Sequence, residues 1–206
     1  MTQDHPVQLE IASPDHFDRI QLVLRLAVTI VLGWIGLSGG WLAMLLYLML
    51  PVAAAITISS SGRDAFVRDF APQLWRVLRW LLELSAYMML VTDRFPTADG
   101  DRVRAEIRFT SHATTASAIG RLVTSLPSTF ALCVLSIPSW LLCVVAVLVV
   151  LVGAPMPAGI LAFQRGVLRW QARLLAYHAA LVDEYPPFAL ETDHRHGGGA
   201  AAPIAR

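Results

Sequence analysis

The residues with most capacity for chemistry are arginines set beside aromatic rings. Arg79-Trp80 and Arg169-Trp170 are two such pairs, and Arg165, Arg169 and Arg173 recur at four-residue intervals. A guanidinium offers a bidentate fork to phosphate or carboxylate, and an indole favours the membrane–water boundary. Arg79, Trp80, Arg165, Arg169, Trp170 and Arg173 are therefore predicted to meet an anionic lipid or a protein partner. The simpler alternative makes Arg79 and Arg169 structural anchors, setting helix depth or pairing with Asp93 or Asp183. Tyr87 and Tyr177 each end a helical pattern six residues before an aspartate, Asp93 and Asp183, with Pro186 close behind the second. Each tyrosine is predicted either to hydrogen-bond its aspartate or to act as a boundary anchor. Glu83, four residues after Arg79, has the spacing of an intrahelical ion pair.

Other reactive residues are scattered. His16 and His112 each stand before a helix with no second ligand close in sequence, so no metal centre is expected. Cys133 and Cys143 lie in apolar segments, where a free thiol behaves as a small hydrophobe. No glycine-rich phosphate loop, nucleophile elbow or paired catalytic carboxylates occur. The expectation is a non-enzymatic protein without cofactors.

The surrounding chain is built for a bilayer. Of its 206 residues 56% are hydrophobic and 15% charged, against about half and about a quarter in soluble domains. All its basic residues are arginine, the usage of a GC-rich bacterial genome. The first twenty residues carry four acidic side chains rather than a basic leader. The first span is therefore expected to serve as an uncleaved signal.

The arginine-tryptophan segment occurs twice. Arg79-Trp80, Ala86-Tyr87 and Asp93 match Arg169-Trp170, Ala176-Tyr177 and Asp183 at a separation of 90 residues. Upstream, Val7, Glu10-Ile11, His16 and Arg25-Leu26 match Val103, Glu106-Ile107, His112 and Arg121-Leu122 at a separation of 96. A fixed internal period implies a duplicated structural unit. The units run over residues 1–98 and 99–192, with residues 193–206 a disordered glycine- and alanine-rich tail.

Each unit predicts the same elements. Val7–Ile11 and Val103–Phe109 alternate apolar and polar, the period of a half-buried strand. Spans are expected over Ile20–Leu37 and Trp41–Ile58, then over Ile119–Ile137 and Trp140–Ala154. Their turns fall at Ser38–Gly40 and Pro138–Ser139. Arg25 is expected to snorkel to the headgroups. Arginine-striped helices over Arg63–Asp93 and Ala158–Val182 are predicted to lie along the membrane surface, or tucked between subunits, with their arginines at headgroups. Residues 185–191 have the pattern of a third short strand. Neither turn carries charge, so the positive-inside rule places both outside and both termini in the cytoplasm. The fold class is thus an all-α membrane protein with minor β, a tandem parallel repeat with four transmembrane helices.

The repeated signature resembles a family of bacterial membrane proteins known as domain of unknown function 4389. Phe163, Arg169-Trp170, Arg173, Ala176-Tyr177, Asp183 and Tyr185-Pro186-Pro187-Phe188 carry the likeness. The first copy departs from it with Thr97 for the second proline and Glu83 for Arg173, and the second with Glu184 for an arginine. The resemblance implies a multi-pass bacterial inner-membrane protein and transfers no catalytic role. Together these features predict a scaffold or accessory protein with a cytoplasmic-face amphipathic platform for a protein partner, another copy or anionic lipid. The alternative is a small transporter or lipid-handling protein with an anionic ligand site between the repeats. No nucleic-acid partner is expected.

Overall fold

The computed structural model describes residues 5–14, 17–34, 40–96, 103–187 and 190. His16, Ser38 and Gly39 of the expected turn, residues 97–102 and residues 193–206 lie outside the described residues, and Gly40 begins the next helix. In order, the elements are β1 (Val7–Ile11), α1 (Arg19–Trp34), α2 (Gly40–Ser61), α3 (Arg63–Ala65), a π-helical turn (Phe66–Phe70), α4 (Ala71–Met88), β2 (Val103–Ile107), α5 (Thr115–Thr124), α6 (Leu126–Val152) and α7 (Ala158–His178). The mostly helical architecture with a little β matches expectation.

The strands pair antiparallel, with Val7 opposite Ile107, Leu9 opposite Ala105 and Ile11 opposite Val103. Alternation along β1 buries Val7, Leu9 and Ile11 and leaves Gln8 and Glu10 in solvent, as a pleat with one covered face requires. The covering element is α7, which also touches α2, α4, α5 and α6. The main core lies among the ribbon, α2, α4 and α7.

Local signals set the helix ends. Thr114 caps α5 in a reciprocal box: Ser117 N–H donates to Thr114 Oγ1 at 3.2 Å, and Thr114 N–H to Ser117 Oγ at 2.8 Å. Gly153, at φ 78°, closes α6 in the left-handed region, and Pro155 and Pro157 precede α7.

Three expectations need correction. No turn occurs at Pro138-Ser139, because α6 runs unbroken from Leu126 to Val152. Pro138 withholds one hydrogen bond from the Val134 carbonyl, too small a loss to end a helix apolar on every side. The break sits instead at Ser125, ahead of Pro127, and the bonds Ser125 N–H to Arg121 O and Thr129 N–H to Ser125 O carry helical pairing across it. With the second hairpin goes the external turn that helped to place both termini in the cytoplasm. Among the described residues only α6, 27 residues and about 40 Å long, is long and apolar enough to cross a membrane.

The second striped helix is also not a surface helix. Trp170 and Arg173 are buried, as are Gln164, Leu168 and Ala172. Small residues at Gly166, Ala172 and Ala176 let neighbouring elements approach α7 closely; a Cβ at Gly166 would stand 3.4 Å from Leu190. Finally, Tyr185–Pro187 form no strand. Residues 188, 189 and 191 lie outside the described set.

Candidate functional site

Two arginines that point inward from α1 and α5 organise the ends of α4 and α7. The last carbonyls of a helix have no intrahelical donor, and the helix dipole makes that end negative. Arg25 meets this need for α4: its Nε donates to Tyr87 O at 2.8 Å and its Nη2 to Thr92 O at 2.6 Å. Arg121 does the same for α7, with Nη1 donating to the carbonyls of Tyr177 and Val182. Tyr177 and Val182 stand 90 residues after Tyr87 and Thr92. Each guanidinium also lies over the tyrosine ring, 4.4 Å from the Tyr87 centroid and 4.6 Å from that of Tyr177. Both arginines are 5% exposed, so Arg25 is a buried clamp rather than a snorkelling side chain.

The backbone beyond each helix is equally matched. Leu90 (φ 54°) and Ala180 (φ 58°) take left-handed conformations. Val91 N–H then reaches back to Ala86 O, and Leu181 N–H to Ala176 O. An edge-on aromatic completes each clamp, Phe95 at 5.5 Å from Tyr87 and Tyr185 at 5.3 Å from Tyr177.

The clamps differ at the rim. In the second, Asp183 binds Arg121 Nη2 at 2.6 Å and accepts from His112, at 2.7 Å from its main-chain N–H and 3.1 Å from its ring Nδ1. Burial alone would raise the Asp183 carboxyl, but the His112 bonds and the Arg121 guanidinium outweigh it and hold it below the usual carboxylate range. Tyr177 hydroxyl meets Thr124 Oγ1 at 2.9 Å, whereas Tyr87 hydroxyl reaches Gln21, 3.2 Å from its main-chain carbonyl and 3.1 Å from its side-chain oxygen. Neither tyrosine bonds the aspartate expected from sequence. Burial pushes the Tyr87 phenol up, against the opposing charge of Arg25.

An open cleft of about 410 Å³ adjoins the second clamp, lined by His112, Ser117, Gly120, Arg121, Thr124, Tyr177 and Asp183, with Ala113 at its edge. Residues 116–189 match the family model of a domain of unknown function, DUF4389. That stretch carries the resemblance seen in the sequence. The matched residues contain Arg121, Tyr177, Val182, Asp183 and Tyr185 of the second clamp, while His112 and the first clamp lie outside them. No curated protein and no solved structure matches the chain.

The arginine-tryptophan residues divide by helix. On α4, Trp80 is exposed, and Arg79 is half-buried with its Nε 2.8 Å from Glu83, the pairing that the spacing predicted. On α7, Trp170 and Arg173 are interior, Arg165 is half-buried, and Arg169 Nε donates to Leu9 O at 3.3 Å, tying the helix to β1. The six residues thus make no common surface. Sequence reasoning did not assign Arg25 and Arg121 their clamping role, although their 96-residue spacing marked them. The buried pair Ser139–Gln164 and the contact of buried His178 with Tyr47 left no such mark. Among the described residues no group of three or more histidine, cysteine or acidic side chains is placed to hold a metal ion.

Proposed function

We propose that this chain is a non-enzymatic scaffold or accessory protein of the bacterial inner membrane, made of two copies of one unit that pack about a local two-fold axis. One observation carries the membrane part. The outer surface of α6 is bare hydrocarbon, with Phe130 71%, Ile137 64%, Trp140 68% and Val152 80% exposed. Ile20, Val23 and Leu26 on α1 and Met49 and Ile56 on α2 are exposed apolar side chains as well. Soluble monomers rarely expose contiguous patches above a few hundred Å². Lipid is the solvent such a surface suits.

The two-copy reading is supported by the matched clamps and by the ribbon. Val7 and Ile11 correspond to Val103 and Ile107 in sequence, and Val7 pairs with Ile107 while Ile11 pairs with Val103. A register that maps onto itself when the strands are exchanged is that of an isologous interface. The equivalent helices α4 and α7 also pack on one another.

The partner platform belongs to α4, whose outer side presents Arg76, Val77 and Trp80 with Arg79 beside them. Alkaline extraction of membranes tests both parts when combined with affinity purification in mild detergent. Wild type and the Arg79→Gln/Trp80→Ala variant should both stay in the membrane pellet, and only the wild type should retain its co-purifying protein. A wild type washed off by alkali would remove the membrane reading. A partner held equally by the variant would remove the α4 platform.

A further inference from the structure

Helices α4 and α7 carry the same arginine-tryptophan pair 90 residues apart, buried in one and bare in the other. On α7 the helix meets extended chain: β1 lies against it, Arg169 Nε donates to Leu9 O at 3.3 Å, and a Cβ at Gly166 would touch Leu190. Val167 and Trp170 are each 6% exposed. Their counterparts on α4, Val77 and Trp80, are 57% and 45% exposed. Arg79, the counterpart of Arg169, has its Nε on the Glu83 carboxylate rather than on a main-chain carbonyl. A guanidinium has five N–H donors, so Arg79 can take a carbonyl while Nε stays where it is. On α7, then, the arginine of the pair holds the backbone of a strand and the tryptophan beside it is interior. On α4 the same two side chains face outward.

The charge of the bare side narrows what fits it. Gln73 and Arg76 are exposed there with Val77 and Trp80, a mixed surface unlike the hydrocarbon of α6. Arg76 stands where α7 has Gly166, and none of the ion pairs among the described residues uses it. Arg76 and Trp80 are four residues apart and so share a helix face. An exposed arginine beside a tryptophan suits a carboxylate on an otherwise apolar contact. The chain's own extended segments are engaged, β1 and β2 with each other and Leu190 on Gly166. Among its described residues a second copy therefore has no spare strand to offer. We infer that the outer side of α4 docks an extended acidic segment of a protein partner, with a main-chain carbonyl on Arg79 and a carboxylate on Arg76. This rests on the platform reading above and deepens it to the conformation and charge of what binds.

The probe is the chain's own strand taken alone, a dye-labelled peptide of residues Pro6–Ala12, whose Leu9 carbonyl and Glu10 carboxylate supply both groups. Full-length protein in mild detergent is titrated into it and followed by fluorescence anisotropy. Wild type should bind it saturably, and Trp80→Ala, a change at an exposed position, should weaken binding at least about tenfold. Arg76→Glu should weaken it about fivefold, and a peptide carrying Glu10→Lys should prefer Arg76→Glu over wild type. That exchange of preference reads contact rather than folding. Equal binding by wild type and both variants would overturn the inference, as would a Glu10→Lys peptide with no preference for Arg76→Glu. Release of the probe by an equal concentration of dioleoyl phosphatidylglycerol would give this side to anionic lipid. Dissociation of a wild-type dimer by Trp80→Ala would give it to a second copy, and either result overturns the proposal. The platform reading survives all of these if the co-purifying protein still depends on Arg79 and Trp80.

Discussion

Arg25 and Arg121 hold both helix ends, because each ties a helix-terminal carbonyl, Tyr87 O or Tyr177 O, to a carbonyl five residues on, Thr92 O or Val182 O, and adds a charged donor to the backbone N–H that the tyrosine carbonyl already accepts. Replacing Arg121 by glutamine takes the charged donor from the Val182 carbonyl, leaves the Tyr177 carbonyl with Ala180 N–H, and breaks the ion pair with Asp183. Chemical unfolding in detergent should show a loss of about 2 kcal/mol or more. Lysine should not rescue it, since an ammonium has neither the planar fork nor the stacking face that covers Tyr177. His178 makes a second residue-scale prediction. It stacks on Tyr47 at 4.7 Å and its Nε2 lies 2.6 Å from the Tyr47 carbonyl, 3% exposed. Burial pushes its imidazole below the usual histidine value, the charge of nearby Arg121 adds to this, and hydrogen bonding to main-chain carbonyls opposes it only in part. The unfolded chain therefore takes up the proton first. The stabilising contribution is whole above about pH 6.5 and declines as pH falls below it toward the folded-state value. His178→Met, which installs the residue found at the equivalent Met88, should flatten the stability–pH profile in that window. Asp183 acts lower down, its contribution complete above about pH 3.9 and lost as pH falls through its depressed folded value. Of these roles the sequence disclosed the positions and not the contacts. Arg25 and Arg121 stood out by spacing, but nothing local indicates that a guanidinium will reach helix ends more than fifty residues away.

At the scale of elements, strands were the most legible: β1 falls on Val7–Ile11 as its alternation required, and β2 loses only two residues of the expected run. Proline misled where glycine did not. Gly153 ends α6, but Pro138 lies within it, where the helix continues on both sides of one missing hydrogen bond and a clip from α7 holds the next residue. Gln164 Nε2 donates to Ser139 O at 2.8 Å, and Ser139 Oγ to Gln164 Oε1 at 2.5 Å, both side chains buried. Gln164→Leu should cost about 1–3 kcal/mol through the Ser139 hydroxyl left without its acceptor, whereas Gln164→Leu with Ser139→Ala should recover much of it in a double-mutant cycle. The left-handed residue after α7 offers the opposite sign. Ala180 at φ 58° bears a conformational penalty of about 1–2 kcal/mol that glycine would not, against about 0.8 kcal/mol for the buried methyl. Ala180→Gly should thus leave stability unchanged or raise it by up to about 1 kcal/mol, read as a higher unfolding midpoint. The arginine stripe of α7 was legible as a pattern, yet its environment was not. A period of four fits an interior helix held by arginine-to-backbone bonds as well as a helix at headgroups, and only the surrounding elements decide.

For the whole molecule, composition pointed to lipid before any coordinate was known, and the surface of α6 agrees with it. The internal period of the sequence falls on the residues of the two clamps, but it carried no information on which helices would touch: α2 lies on α5 and α1 on α6. Two native thiols sit on α6, Cys133 exposed and Cys143 half-buried beside the Met88 carbonyl, and they allow the decisive measurement. In a Cys143→Ser variant Cys133 is the sole thiol. In intact membranes, opened or sealed, an impermeant maleimide should leave Cys133 unmodified from either side, and should label it once detergent replaces the bilayer. Rapid labelling of Cys133 in the sealed or opened membrane would place this part of α6 in water and contradict the account.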